Sequence, residues 1–317
     1  MNNKGTFIIS IDYEFALGFA DYNLTAQEKR NILTEVAITK RLLQLFDHYR
    51  IPVTWAVVGH LLERACLWKG KVPHPEYVRP IHQGEQRDWF SSHPLQGEYD
   101  DVMWFDAKNL IHEMSGSRVG HEIASHSYAH VLYDKNCTEE QTIITDLKNM
   151  VRVHTEAHLP VSSFVFPRNK EGRHILLQQS GIKCYRGAPL LWYERFPTLM
   201  RRGLHLFDYF LPLFRTVRAK RSGGGLVTIP QSMLLLGRGG LRKLVPVWLM
   251  KWKIKQGIRR AISRGEIFHL WFHPSNFWHD TDKQFSILES ALRDASRLRE
   301  IGELEIVTMQ QVANRIA

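Results

Sequence analysis

The chain has 317 residues, 44% of them hydrophobic and 23% charged, with 21 Gly, 13 Pro and 3 Cys, which excludes disordered, fibrous and collagen-like classes. Its formal net charge of +10 at pH 7 raises nucleic acid, anionic lipid or a phosphorylated ligand as partners. Cys66, Cys137 and Cys184 are odd in number and far apart, with no CxxC pair. That argues against a disulfide framework or a cysteine-based zinc site and fits a reducing compartment.

Thr6 to Ile11 is a short β-rich apolar run, too short for a signal peptide and followed by acidic residues rather than a small-residue cleavage site. No apolar stretch approaches the roughly 18 residues that span a bilayer, so a cytoplasmic location is expected. Thr25 to Tyr49 has helical periodicity, and Ile51 to Gly59 reads as a second strand. Cys66 to Met103, rich in Pro, His and Gly, reads as a long loop of the kind that carries function. Glu122 to Ser125 is then a strand, Glu139 to Ala157 a helix, Ser163 to Phe166 a strand and Arg173 to Ser180 a helix. Strands at Leu226 to Ile229 and Ile267 to Phe272, a helix from Lys283 to Glu300, a strand at Leu304 to Val307 and a short final helix complete the series. Such alternation implies a parallel sheet, open or closed into a barrel, with ligands at the C-terminal strand ends.

The charge is uneven. Residues 195–265 hold 16 basic residues against one acid, Asp208, interleaved with apolar clusters at Leu204 to Phe214 and Leu244 to Met250. Basic plus apolar reads either as an interfacial element or as core helices with solvated faces. No finger, RNP-like or helix-turn-helix pattern accompanies the charge, so nucleic acid is not an expected partner.

Asp12 and Glu14 close the first strand two residues apart, so both carboxylates reach one side. His126 and His130 follow a strand at a spacing of four, which brings both imidazoles to one side of a helical turn. One carboxylate and two imidazoles suit a divalent metal with an open position for water. His269, Trp271 and His273 share a strand face, with His273 at the end nearest a site and His269 read as a core histidine. Phe166-Pro-Arg-Asn169 brings Arg168 to another strand end, where it pairs with Asp12 or Glu14 or forms a surface salt bridge.

In this order the segments Ser-Ile-Asp-Tyr-Glu-Phe, Gly-His-Glu-Ile-Ala-Ser-His-Ser-Tyr-Ala-His, Phe-Pro-Arg-Asn and His-Leu-Trp-Phe-His-Pro-Ser-Asn-Phe resemble the polysaccharide deacetylases of carbohydrate esterase family 4, in particular members from surface-polysaccharide gene clusters. The resemblance spans residues 6 to about 192 and 226 to 310. It implies one catalytic domain over 1–317, a distorted (β/α) barrel of about seven parallel strands, with 195–265 as a basic, apolar insertion.

The resemblance also implies roles. A divalent cation, zinc in the usual case, is held by His126, His130 and one carboxylate. By analogy with Asp-x-Asp members the ligand is Glu14 and the base Asp12, with the reverse assignment as the alternative. His273 matches the late histidine that serves as general acid, and Arg168 the partner that orients the base, although the family's Arg-x-Pro order is here Pro167-Arg168. Trp192 takes the family's aromatic position beside the acetyl methyl, while Trp271, read from its strand face as core or as a wall of the pocket, and Asn276 complete the candidate substrate-binding residues. The implied substrate is an acetylated sugar or glycolipid, and the basic segment suggests peripheral contact with an anionic membrane surface. The competing readings are an amidohydrolase of the same fold acting on a small amide, a non-catalytic carbohydrate-binding barrel, and, weakest, a magnesium phosphotransferase.

Overall fold

The computed structural model describes residues 4–19, 24–79, 101–104, 106, 109–188, 215–222 and 225–316. Twelve strands lie among them: β1 (Gly5–Tyr13), β2 (Thr54–Val57), β3 (Trp68–Lys69), β4 (Val72–Pro73), β5 (Glu122–Ser125), β6 (Ser163–Val165), β7 (Cys184–Gly187), β8 (Lys220–Arg221), β9 (Val227–Pro230), β10 (Met233–Leu234), β11 (Ile267–Phe272) and β12 (Leu304–Ile306). The main sheet runs β10-β11-β1-β2-β5-β6-β7-β9-β8, with β12 beside the start of β1. From β10 to β9 every pairing is parallel, and only β8 at the edge is antiparallel.

That order cannot be flat. β9 and β10 lie seven strand spacings apart along the path, roughly 34 Å at the usual spacing, yet only Gln231 and Ser232 join them, a link reaching about 10 Å. The sheet therefore curls back on itself as a distorted barrel, in keeping with the expected fold, and the eight parallel strands along its path include the two-residue β10. At the seam the Ser232 amide donates to the His269 carbonyl, the His269 amide to Ser232 Oγ, and His269 Nδ1 to the Pro230 carbonyl.

Strand alternation sorts the side chains of β1 onto two sides. Phe7, Ile9, Ile11 and Tyr13 join the large apolar layer under the surrounding helices, while Ile8 joins a smaller cluster with Ala56, Ala124, Val165, Cys184, Val227 and Ile267. The small cluster is the barrel's lower interior, plugged by Met309, Val312 and Ala313 of the C-terminal helix Met309–Ile316. Ser10 and Asp12, two and four residues beyond Ile8, continue that inward face upward.

The expected helices are present as Ala26–Tyr49, Glu140–Glu156, His174–Gln179 and Thr281–Glu300. The first begins with a reciprocal cap between Thr25 and Glu28. The basic range 195–265 is not one element. Residues 189–214, with Trp192 and the Leu204 to Phe214 cluster, lie outside the described residues, whereas β8, β9, β10 and the helix Val247–Arg264 are built into the barrel. That helix buries Met250, Ile254, Ile258 and Ala261 and approaches the sheet so closely at Gly257 that a Cβ there would strike the Phe268 ring. Within the range read as a long loop, residues 66–103, β3 and β4 form a short antiparallel hairpin.

Candidate active site

The residues with acid, base or ligand chemistry gather where the parallel strands end. Asp12 is the penultimate residue of β1 and Glu14 follows it; His126 follows β5; Arg186 sits in β7; His273 follows β11. Glu14 Oε1 lies 2.9 Å from His126 Nε2, 3.4 Å from His130 Nε2 and 3.5 Å from His273 Nε2. His273 Nε2 is also 3.6 Å from Asp12 Oδ2, so the five predicted acid, base and ligand side chains meet in one cluster. Gly18 makes room for Glu14, because a Cβ at that position would collide with its carboxylate.

The ring orientations fit a metal. His126 Nδ1 donates to the Val165 carbonyl at 2.8 Å, which fixes that ring and leaves Nε2 as the atom that faces Glu14. A carboxylate and two imidazoles whose ligating atoms all lie within 4.8 Å of one another match the donor set of a zinc-type cation with room for a further ligand. Burial alone would raise the Glu14 carboxyl, but His273, His130 and His126 facing it hold it well below the usual carboxylate range.

Arg186 and Asp12 form a bidentate, buried pair, Nη1 to Oδ1 at 2.6 Å and Nη2 to Oδ2 at 2.7 Å. Burial pushes the Asp12 carboxyl up, and the field of its neighbours, Arg186 above all, more than offsets this, so it is held below its ordinary value. Arg186 also donates to Ser10 Oγ and lies over the Trp271 ring at 4.2 Å. The partner of Asp12 is thus Arg186, not Arg168. The short turn Pro167–Asn169 holds Arg168 at φ 51° with its side chain exposed at the cavity mouth. Inward alternation along β7 aims Arg186 at Asp12, while Arg168 lies beyond the end of β6. The signal for Arg186 in the sequence was an arginine within the β-compatible run Cys184-Tyr-Arg-Gly187, an element absent from the sequence reading.

His273 lies in the same field. Burial disfavours its charge, but Glu14 and Asp12 outweigh burial and raise its pKa to about 9, so it is an imidazolium at neutral pH. His269 is a satisfied core histidine as expected, its Nε2 2.9 Å from Ser10 Oγ, and burial beside Arg186 pushes it down to about 3. Asn276 accepts the His273 amide at 2.9 Å and thereby fixes the turn that carries the histidine. Trp271 packs against the His273 ring at 5.5 Å. Both residues line a cavity of about 320 Å³ with Asp12, Glu14, His130 and His273. Trp192 lies outside the described residues.

A further buried carboxylate shapes the loop between His126 and His130. Asp146, from helix Glu140–Glu156, accepts hydrogen bonds from the amides of Tyr128 and Ala129 and from the hydroxyls of Ser127, Tyr77 and Tyr133, at 2.7–3.0 Å. These donors surround the segment between His126 and His130, where Ser127 and His130 adopt left-handed backbone. The loop conformation that unites the two imidazoles is held by a side chain from the following helix, which no local motif announces.

Fold and cluster together define a distorted (β/α) barrel with a carboxylate and histidine centre at the C-terminal strand ends. Residues 33–180 match the family described as polysaccharide deacetylase. No curated protein matches it in sequence. Among solved structures it resembles one named as a polysaccharide deacetylase from Mycobacterium smegmatis, with a TM-score of 0.62 at 15% identity over 99% of this chain and 91% of that one. A polysaccharide deacetylase structure from Pseudomonas aeruginosa PAO1 gives 0.61 at 11% identity over 98% and 89%. The Puue allantoinase structure gives 0.59 at 11% identity, again over 98% and 89%. At these identities the likeness is one of fold.

Proposed function

We propose that the chain is a metal-dependent carbohydrate N-deacetylase that removes the acetyl group from an N-acetyl sugar of a bacterial surface polysaccharide or its lipid-linked precursor. The observation that carries this reading is the meeting of Glu14, His126 and His130 with Asp12 and His273 in one buried cluster, in a chain whose residues 33–180 match the polysaccharide deacetylase family. Glu14, His126 and His130 would hold the cation, zinc by its donor set. When bound it would polarise the amide carbonyl and make water more acidic.

The remaining steps belong to the side chains. Asp12, kept ionised by Arg186, takes the proton of the water that attacks the carbonyl. His273, protonated at neutral pH, gives its proton to the amide nitrogen, because an unprotonated nitrogen is a very poor leaving group. The C–N bond then breaks to give free amine and acetate. One proton taken and one given leave the pair to be reset by exchange with solvent. Trp271 and Asn276 form part of the wall that would contact the acetyl sugar, with Arg168 at the mouth.

A lipid-linked substrate is favoured by the surface around the helix Val247–Arg264. Leu241 and Leu244 are each 75% exposed and Trp248 67%, with Arg242, Lys243 and Lys251 interleaved. Apolar tips among cations suit an anionic bilayer surface. No helix of the described residues is long and apolar enough to cross a membrane, so the contact proposed is peripheral, at the cytoplasmic face. Failure to co-sediment with anionic liposomes at low salt removes this part of the reading.

The decisive experiment counts metal per chain in wild type and in a His126→Ala/His130→Ala variant, then measures acetate released from N-acetyl sugars. One equivalent lost in the variant and acetate release dependent on it are expected at this site. Wild type that carries no metal there and cannot be reconstituted with zinc overturns the proposal. The second reading, hydrolysis of a small amide, draws on the fold likeness to an allantoinase. It gains if metal is held but no acetylated sugar yields acetate.

A further inference from the structure

A second group of metal-binding side chains lies outside the cluster just described. His60 belongs to the short turn Gly59–Leu62 after β2, Cys66 precedes β3, and His74 follows β4. Both imidazoles are buried although the hairpin between them is minimal, two residues per strand. Leu67 and Val72 on this segment are exposed. Such a hairpin has little stability of its own, and it is tied down from outside by the Tyr77 hydroxyl on Asp146 and the Arg79 guanidinium on the Pro73 carbonyl.

The tautomers follow from the neighbours. His60 Nδ1 is 3.0 Å from the Trp104 carbonyl, which only accepts, so its proton is on Nδ1. His74 Nδ1 faces Glu76 Oε1 at 3.3 Å and the Tyr128 hydroxyl at 3.3 Å. That hydroxyl donates to Glu63 Oε1 at 2.8 Å, so both neighbours act as acceptors and His74 too carries its proton on Nδ1. His60 Nε2 then faces His74 Nε2 at 3.1 Å, with Cys66 Sγ 3.3 Å from His60 Nε2. Two imidazole nitrogens and a sulfur this close together can share one cation.

We propose that His60 Nε2, His74 Nε2 and Cys66 Sγ bind a second divalent transition metal of zinc-type preference, whose three donor atoms lie within 4.8 Å of one another. Two imidazoles and a thiolate form a set that zinc favours and magnesium or calcium does not. On binding, the Cys66 thiol gives up its proton to solvent. The role is structural. The amides of Gly59 and His60 donate to the carbonyls of Ser127 and Tyr128, so a metal that fixes His60 also buttresses the loop between His126 and His130. The sequence reading set aside a cysteine-based site because no CxxC pair is present, but here the ligands come from three separate turns.

The proposal does not rest on the deacetylase reading, and its test separates the two. The full chain, freed of metal and titrated with Co²⁺, is followed in the near ultraviolet, where only a thiolate ligand gives a charge-transfer band. The site of Glu14, His126 and His130 has no sulfur donor and is silent. The expected result is a band that saturates at one equivalent, persists in the His126→Ala/His130→Ala variant and in Cys137→Ser, and is lost in Cys66→Ser. His74→Asn, which keeps every thiol, should lose it as well, and serves if Cys66→Ser does not fold. Metal counting should fall from two equivalents to one in either variant. A wild-type titration without the band, or a band that survives Cys66→Ser, overturns the proposal.

Discussion

Arg186 holds both carboxylate oxygens of Asp12 in a buried fork, at 2.6 and 2.7 Å. Removing the guanidinium leaves a buried carboxylate without its counter-charge, which costs about 3–5 kcal/mol in comparable pairs. Arg186→Ala is therefore expected to unfold at markedly lower denaturant concentration and to release acetate poorly, because Asp12 loses the charge that keeps it ionised. Arg186→Lys should not restore activity, since one ammonium cannot reproduce the fork. Full activity in the lysine variant would show that the pair is structural only.

Asp146 organises the ligand loop, and its effect should be read in metal affinity. Asp146→Asn keeps the size but replaces one acceptor oxygen by a donor, which then faces hydroxyl and amide donors. Outer partners of this kind typically contribute 10–100-fold in affinity, so a chelator competition should show a loss of about that size with His126 and His130 intact. Unchanged affinity would place the organisation of the loop elsewhere.

The side chains that meet in the cluster were legible because each lies in a short run with a recognisable pattern. Asp12 and Glu14 end an apolar strand, His126 and His130 are four apart after another, and His273 ends a third. What escaped was contributed across the barrel. Arg186 comes from β7, 174 residues after its partner, and nothing local to Asp12 calls for it. The same limit applies to Asp146 and to His60, Cys66 and His74, whose meaning exists only once separate turns are folded together. The strand order was legible only as alternation, since closure depends on the two-residue link from β9 to β10.

Buried histidines set the behaviour of the fold in acid. Burial pushes His121 and His154 down to about 4, so the folded chain keeps them neutral where the unfolded chain, near 6.5, is charged. The unfolded state binds more protons between these values, so the stability they contribute is complete above about pH 6.5 and is lost as pH falls toward 4. Each can steepen the loss by about 1.4 kcal/mol per pH unit. His154→Gln should flatten the decline in denaturant-measured stability over that window by up to this amount. Parallel curves for the two proteins would exclude His154 as a contributor.

Asp12 and Glu14 carry the assignment on which the chemistry turns, and the geometry gives them different work. Glu14 Oε1 is shared among His126, His130 and His273, whereas Asp12 is engaged by Arg186 on both oxygens and reaches only His273 among the three. A carboxylate already bound at both oxygens by arginine is a poor cation ligand, and a carboxylate that shares its oxygen with the ring nitrogens of His126 and His130 is a good one. Glu14→Gln is thus expected to lose the metal of this site, and Asp12→Asn to keep it while turnover falls by about 10²–10⁴-fold. His273→Ala should behave like Asp12→Asn in both readouts, and if it lost the metal, His273 would be a ligand rather than the acid. Metal loss in Asp12→Asn with retention in Glu14→Gln would reverse the two roles, and with them the identity of the group that takes the proton from water.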